Sequence, residues 1–259
     1  MTPLIEFVHV DFGYEEKLLL REVDAVVRQQ DCIALVGPNG VGKTTLLRLA
    51  SGTLSPKLGE VRLNGRALKT FKQREIARSI AFVPQQVEVP FSFTVEQFVE
   101  QGRTPYLKIF GGLGEVDYNA IRRAMELTDT WSLRDRVFNH LSGGERQRVK
   151  IALGLAQQPK VLLLDEPMQH LDIGRQFEMV DLIDMLRQEG IAIVASMHDL
   201  ALIEGTFSSV WLLSTTDPMR QGTPAQMLRP EILETTFNCP PRHRSRLAER
   251  TRNRMEQAL

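Results

Sequence analysis

The chain has 259 residues, 42% hydrophobic and 25% charged, with Lys plus Arg and Asp plus Glu both at 32. That is ample for one large α/β domain with its own core, and the balanced charge excludes a partner chosen by net charge alone. Cys32 and Cys239 stand in no metal-like or redox spacing, which points to a reducing compartment, and no apolar run approaches the length of a membrane span.

The N-terminal stretch MTPLIEFVHVDFGYEE sets acids among its apolar residues and has no basic-then-apolar export signal. LIEFVHV and LLLREVDAVVRQQD read as antiparallel strands. Tyr14, ahead of the core, is either packing or a ring that stacks on a base. CIALV (32–36), SIAFV (79–83), VLLL (161–164), IAIVA (191–195) and VWLL (210–213) are apolar without alternation, the pattern of strands covered on both faces. Helical periodicity fills the gaps: after Gly42, then over 94–102, 117–128, 145–157 and 173–188. Strands alternating with helices imply a mostly parallel sheet. Asn64-Gly65 marks a tight hairpin. Residues 88–158 are helical and lack buried strands, so they are read as a helical subdomain inserted into an α/β core. The last twenty residues, 240–259, hold six Arg against two Glu, a net +4 that leaves −4 elsewhere. Such a tail is a solvated, disordered end or a contact with an acidic surface.

GPNGVGKTT, residues 37–45, fits G-x-x-x-x-G-K-[ST]. It follows an apolar strand and opens a helix, which Gly52 ends; that is the context a phosphate-binding loop requires. Gly37, Pro38, Asn39, Gly40, Val41, Gly42 and Thr45 form the cradle. Lys43 is placed to reach the β- and γ-phosphates, and the Thr44 hydroxyl to ligate Mg²⁺. VLLLDEP puts Asp165 and Glu166 at the end of a buried strand, Asp165 as a magnesium partner and Glu166 as acceptor of a proton from attacking water. His198, in SMHDL, ends the next apolar strand and could hold the γ-phosphate and water in line with Glu166. Gln85 ends another strand, with a carboxamide able to touch both metal and water; Gln86 is the alternative, and spacing does not separate them. LSGGERQR, residues 141–148, is a second anion site at a helix start but has no lysine. Ser142, Gly143 and Gly144 could complete the site of another copy if two chains meet about a two-fold axis. VEVPFSF, residues 87–93, alternates apolar residues after Gln85. It lines either a docking groove or the core.

Taken in order, Tyr14, GPNGVGKTT, Gln85, LSGGERQR, VLLLDEP, HLD and His198 resemble the ATP-binding subunit of an ABC (ATP-binding cassette) transporter, over essentially the whole chain to about Phe237, with the domain taken as residues 1–239. The resemblance implies a P-loop NTPase core with an N-terminal antiparallel subdomain, ATP and Mg²⁺ as ligands, and hydrolysis of ATP. It also implies a homodimer that sandwiches two nucleotides, Tyr14 stacking on adenine, Glu166 as general base, His198 as a γ-phosphate switch and Asp172 reaching across the dimer. Gln85 would link nucleotide to integral membrane permease subunits. The chain would then work peripherally on the cytoplasmic face of the membrane. TVEQFVEQGRTPYL, LLLDEPMQHLD and QGTPAQML are similar to importers of iron chelates, haem and cobalamin, which are fed by a substrate-binding protein. Met168, Ser196-Met197 and the arginine-rich tail depart from the family pattern, and none is expected to touch the core chemistry. An exporter subunit, or a soluble ABC-type ATPase acting on nucleic acid or ribosomes, is the alternative. The second rests on the tail alone, so no nucleic-acid partner is expected.

Overall fold

A computed structural model describes residues 2–89, 91–108 and 111–238. Cys239 and the arginine-rich tail lie outside the described residues. Along the chain run β1 (Ile5–Tyr14), β2 (Lys17–Val27), β3 (Cys32–Val36), α1 (Lys43–Ala50), β4 (Leu58–Leu63), β5 (Arg66–Ala67), α2 (Gln73–Ala77) and β6 (Ile80–Val83). There follow α3 (Val95–Glu100), α4 (Glu115–Leu127), α5 (Gly143–Ala156), β7 (Val161–Leu164), α6 (Ile173–Gln188), β8 (Ala192–Ser196), β9 (Ser209–Leu212), β10 (Arg220–Gly222), α7 (Pro224–Met227) and α8 (Pro230–Thr236).

The strands form two sheets, an antiparallel one in the order β2-β1-β4-β5 and a six-stranded one in the order β10-β9-β3-β8-β7-β6. The larger sheet is parallel except where β10 meets β9. Its continuous apolar strands each feed two cores. Cys32, Ala34, Val36, Leu162, Leu164, Ile193 and Ala195 face one, which is filled by side chains of α3, α4, α5 and α6. Ile33, Leu35, Val161, Leu163, Ala192 and Val194 face the other, shared with α1 and the antiparallel sheet. A strand buried on both sides has no polar face to alternate with, which is why periodicity alone could not show its register.

Local chemistry ends the elements where the sequence predicts. Gly52 adopts φ +71° and closes α1, with Gly52 N–H donating to Leu49 O at 3.1 Å and Thr53 N–H to Arg48 O at 3.0 Å. That is the paired C-terminal motif that left-handed glycine permits. Asn64 and Gly65, at φ +50° and +78°, join β4 to β5. The pairing of β4 with β1 was not legible in the sequence.

The inserted helices α3, α4 and α5 pack together. Buried Arg103 ties them: it donates to Asp117 Oδ1 at 2.9 Å and to Ala156 O at 2.7 Å, with its guanidinium 3.9 Å from the Tyr106 ring centre. The Gly114 N–H bond, then Arg103, hold the Asp117 carboxyl below its ordinary range. The alternation in 87–93 splits between both readings. Val89 and Phe93 pack against the core, while Val87 and Phe91 are exposed.

Candidate nucleotide site

Strand order assembles the site. In the parallel sheet, β3, β8, β7 and β6 are neighbours, so the segments leaving their C-terminal ends share one edge. From β3 comes the glycine-lysine loop, from β8 Ser196 and His198, from β7 Asp165 and Glu166, and from β6 Gln85. A cleft of about 570 Å³ opens there, lined by Tyr14, Asn39, Lys43, Glu166 and His198 among others.

The loop's backbone is held in glycine-only shapes. Gly37, Gly40 and Gly42 have φ of +155°, +75° and +112°, and a Cβ on Gly37 would sit 2.6 Å from Leu213 O. Lys43 is buried and donates through Nζ to Gly37 O at 2.8 Å and Pro38 O at 3.2 Å, so the cation is anchored by its own loop. Desolvation lowers its pKa, opposed by the charges of Glu166 and Asp165. Val41 is different: its side chain is buried in the core below the loop and does not line the cleft. Any contact it makes with a ligand is through backbone. Thr45 lines the cleft, and its hydroxyl lies 3.4 Å from that of Tyr14. Tyr14 is half exposed and braced edge-on by Phe12, ring centres 5.2 Å apart. A face is thereby left for a planar ligand.

The acids are fixed by a polar network. Asp165, 3% exposed, accepts from Thr44 Oγ1 at 2.8 Å on one oxygen and from Ser196 Oγ at 2.8 Å on the other. Ser196 Oγ in turn accepts from Glu166 N–H at 2.7 Å. Glu166 sits at φ +50°, a left-handed conformation that costs a non-glycine residue on the order of 1–3 kcal/mol. Its carboxylate meets His198 Nε2 at 2.5 Å and Gln85 Nε2 at 2.7 Å. Gln85 also donates to Gln169 Oε1 at 2.5 Å. Gln86 is exposed and is not among the residues lining the cleft, so geometry separates the two glutamines that spacing could not.

Ser196 corrects an expectation. Expected to leave the core chemistry alone, its hydroxyl instead bonds the Asp165 carboxylate and the Glu166 N–H. No motif marked it, because its proximity to Asp165 comes from the β7–β8 register, in which Leu164 pairs with Ala195. Gln169 was missed as well, for want of any local signal.

A profile for the ABC transporter family matches residues 20–169, more than half of the chain. The chain belongs to the ABC transporter family. It is 35% identical to the iron(3+)-hydroxamate import ATP-binding protein FhuC of Bacillus subtilis (strain 168), over 87% of this chain and 84% of that one. It is 37% identical to the cobalamin import ATP-binding protein BtuD of Halobacterium salinarum, over 85% of this chain and 55% of the relative. A solved inward-facing structure of a metal-chelate type ABC transporter superposes with TM-score 0.81 at 28% identity, covering 92% of this chain and 90% of that one. As in its family, the chain binds nucleotide and hydrolyses ATP.

The LSGG loop of this ABC chain does not join the cleft. Ser142 caps α5, its Oγ accepting from Glu145 N–H at 3.3 Å while the Glu145 carboxylate accepts from Ser142 N–H at 2.7 Å. The Ser142 N–H bond, then the Ser142 hydroxyl, hold the Glu145 carboxyl below its ordinary range. Asp172 caps α6 through Oδ1 and Arg175 N–H at 3.0 Å. A Cβ on Gly144 would touch the Arg175 side chain at 3.5 Å, so the LSGG loop and the start of α6 share one surface. A Cβ on Gly143 would meet nothing within 4 Å, and its φ is not positive. Among the described residues nothing calls for glycine at 143.

Proposed function

We propose that this ABC ATPase is the energy-supplying subunit of an importer for metal chelates, haem or cobalamin, and that two copies close around two ATP molecules. The catalytic reading rests on one observation: Lys43, Asp165, Glu166, Gln85 and His198 converge on one sheet edge although 155 positions separate the first from the last. Lys43 binds the β- and γ-phosphates with the glycine loop, and Tyr14 stacks on the base. Glu166, pinned on both oxygens, accepts a proton from water, while His198 and Gln85 hold that water and carboxylate in line. Thr44 and Asp165 present two hard oxygens 2.8 Å apart, one on a buried carboxylate, a donor set that suits Mg²⁺. Bound there, the ion would neutralise charge on the phosphates.

The paired state is supported by the LSGG surface. Ser142, Gly143 and Gly144 lie outside the cleft, at the N-terminus of a 14-residue helix whose first N–H groups favour an anion. A glycine with open space around it is explained by a ligand supplied from another chain. Asp172, on the same surface, then faces the partner, and ATP closes the pair because its γ-phosphate bridges the two chains. Among the described residues no helix is long and apolar enough to cross a membrane; in this reading separate membrane subunits carry the substrate. The exposed Val87 and Phe91, just past Gln85, are where those subunits would contact the site. A substrate-binding protein would feed the membrane subunits from outside.

Glu166→Gln keeps the shape of the side chain and removes the base. It is expected to bind ATP, lose hydrolysis and accumulate as an ATP-dependent dimer in light scattering. Adding Ser142→Arg should return the protein to monomer with ATP still bound. Hydrolysis at the normal rate by the first variant, or a stable dimer from the second, contradicts the scheme.

A further inference from the structure

The helix that begins at LSGG carries a buried cation with no part in the chemistry above. Lys150 lies about two turns past Ser142 on α5 and is 9% exposed. Its Nζ donates to Gln85 O at 2.8 Å and reaches Pro84 O at 3.4 Å. A lysine is seldom buried without an anion, and this one meets carbonyls instead. Burial, then the neighbouring charge of Arg146, push its pKa down to about 8. A hydrophobic residue would fill the position at less cost in desolvation. What only the ammonium provides is a hold on the two carbonyls that follow β6, where the chain turns to present Gln85. The side chain of Gln85 then reaches Glu166 and Gln169. One helix thus carries the LSGG loop at its start and grips the backbone of the glutamine that touches the base.

We propose that Lys150 is a positioning residue for ATP hydrolysis, a strut that registers Gln85, and through it Glu166, to the LSGG helix. This rests on the ATPase reading of the cleft. When two protomers close, the loop facing the partner's nucleotide and the glutamine facing the protomer's own are then set by one rigid element. The strut acts on the rate of the chemical step rather than on affinity, because Lys150 does not itself line the cleft and meets Gln85 only at its backbone carbonyl.

A double-mutant cycle on the full chain tests it, with Lys150→Met, Gln85→Ala and the pair. The readouts are kcat and KM for ATP and the thermal midpoint. Lys150→Met is expected to lower kcat about tenfold, the equivalent of one lost hydrogen bond, with KM within about twofold. Lys150→Arg, which keeps the donors, should recover most of the rate. In the Gln85→Ala background Lys150→Met should cause no further loss, because its route runs through Gln85. Losses that multiply, or a Lys150→Met variant as fast as the wild type, overturn the proposal. So does a drop in thermal midpoint with kcat unchanged, the mark of a merely structural lysine. If Lys150→Met does not fold, Lys150→Leu, which also lacks a donor, takes its place in the cycle with the same criteria. A Gln85→Ala enzyme at full rate defeats the strut alone. Full activity in Glu166→Gln would instead defeat the reading of the cleft, so the two failures are told apart.

Discussion

Removing a single oxygen at Ser196 tests whether the acids are held as described. The Ser196 side chain is fully buried, donates to Asp165 Oδ1 and accepts from Glu166 N–H. Ser196→Ala leaves one oxygen of a buried carboxylate and one strand-end N–H without these partners. A hydrogen bond to a charged group contributes about 1.5–3 kcal/mol and a neutral one about 0.5–1.5 kcal/mol. The expected loss is about 3 kcal/mol, since the void of one oxygen next to Asp165 is too small for water to replace both bonds well. For a chain of this size that corresponds to a fall of roughly 6–12 °C in thermal midpoint. Urea denaturation gives the free energy directly, with an unchanged slope if the unfolded state is unaffected. Hydrolysis should fall too, because Asp165 and Glu166 lose a common tether. A stability change under about 0.5 kcal/mol, the size of an ordinary surface substitution, would refute the network as a stabilising unit.

Gly143→Ala introduces a methyl into open space at ordinary φ, so the thermal midpoint should stay or rise slightly, while ATP-driven dimerisation of the Glu166→Gln protein weakens. A dimer of wild-type affinity would mean that nothing approaches that surface. Val89→Asp buries a charge against the core and should destabilise the fold by several kcal/mol, whereas Phe91→Asp should leave urea unfolding unchanged and reduce co-purification with the membrane subunits; equal stability for both variants would contradict the split seen in 87–93. Lys150 contributes a pH signature of its own. Its folded pKa near 8 lies below its ordinary value of 10.5, so between those values the unfolded chain binds more protons and this residue's contribution to stability rises with pH. The stability of wild type minus that of Lys150→Met should therefore climb from pH 8 to 10.5, measured by urea titration, and a flat difference would place the ammonium in water.

The motifs were readable because phosphate chemistry demands fixed local sequence. A loop that wraps an anion needs glycines at set offsets, and Lys43 and Thr44 must follow at once to open the helix. The helix ends were also written locally, in Thr94, Ser142 and Asp172 as caps and Gly52 as a stop. The inserted helices showed in their 3.6-residue period, and Cys32 and its neighbours in their unbroken apolar runs.

What no local pattern carried was the order of the strands. Whether β7 lies beside β8 depends on how side chains from distant segments fill the two cores, and the interaction energy sits in pairs far apart in sequence. That order placed Ser196 against Asp165, chose Gln85 over Gln86, put Gln169 and Lys150 around Gln85, and turned Val89 inward while Phe91 faces out. It also set Ser142 to Gly144 beside Asp172 and away from the cleft. The sequence by itself named the groups proposed to react, since chemistry requires their types and spacing. Tertiary packing alone decided what holds them still, because a hydrogen bond across a sheet edge is a property of neighbouring strands and leaves no mark in either one.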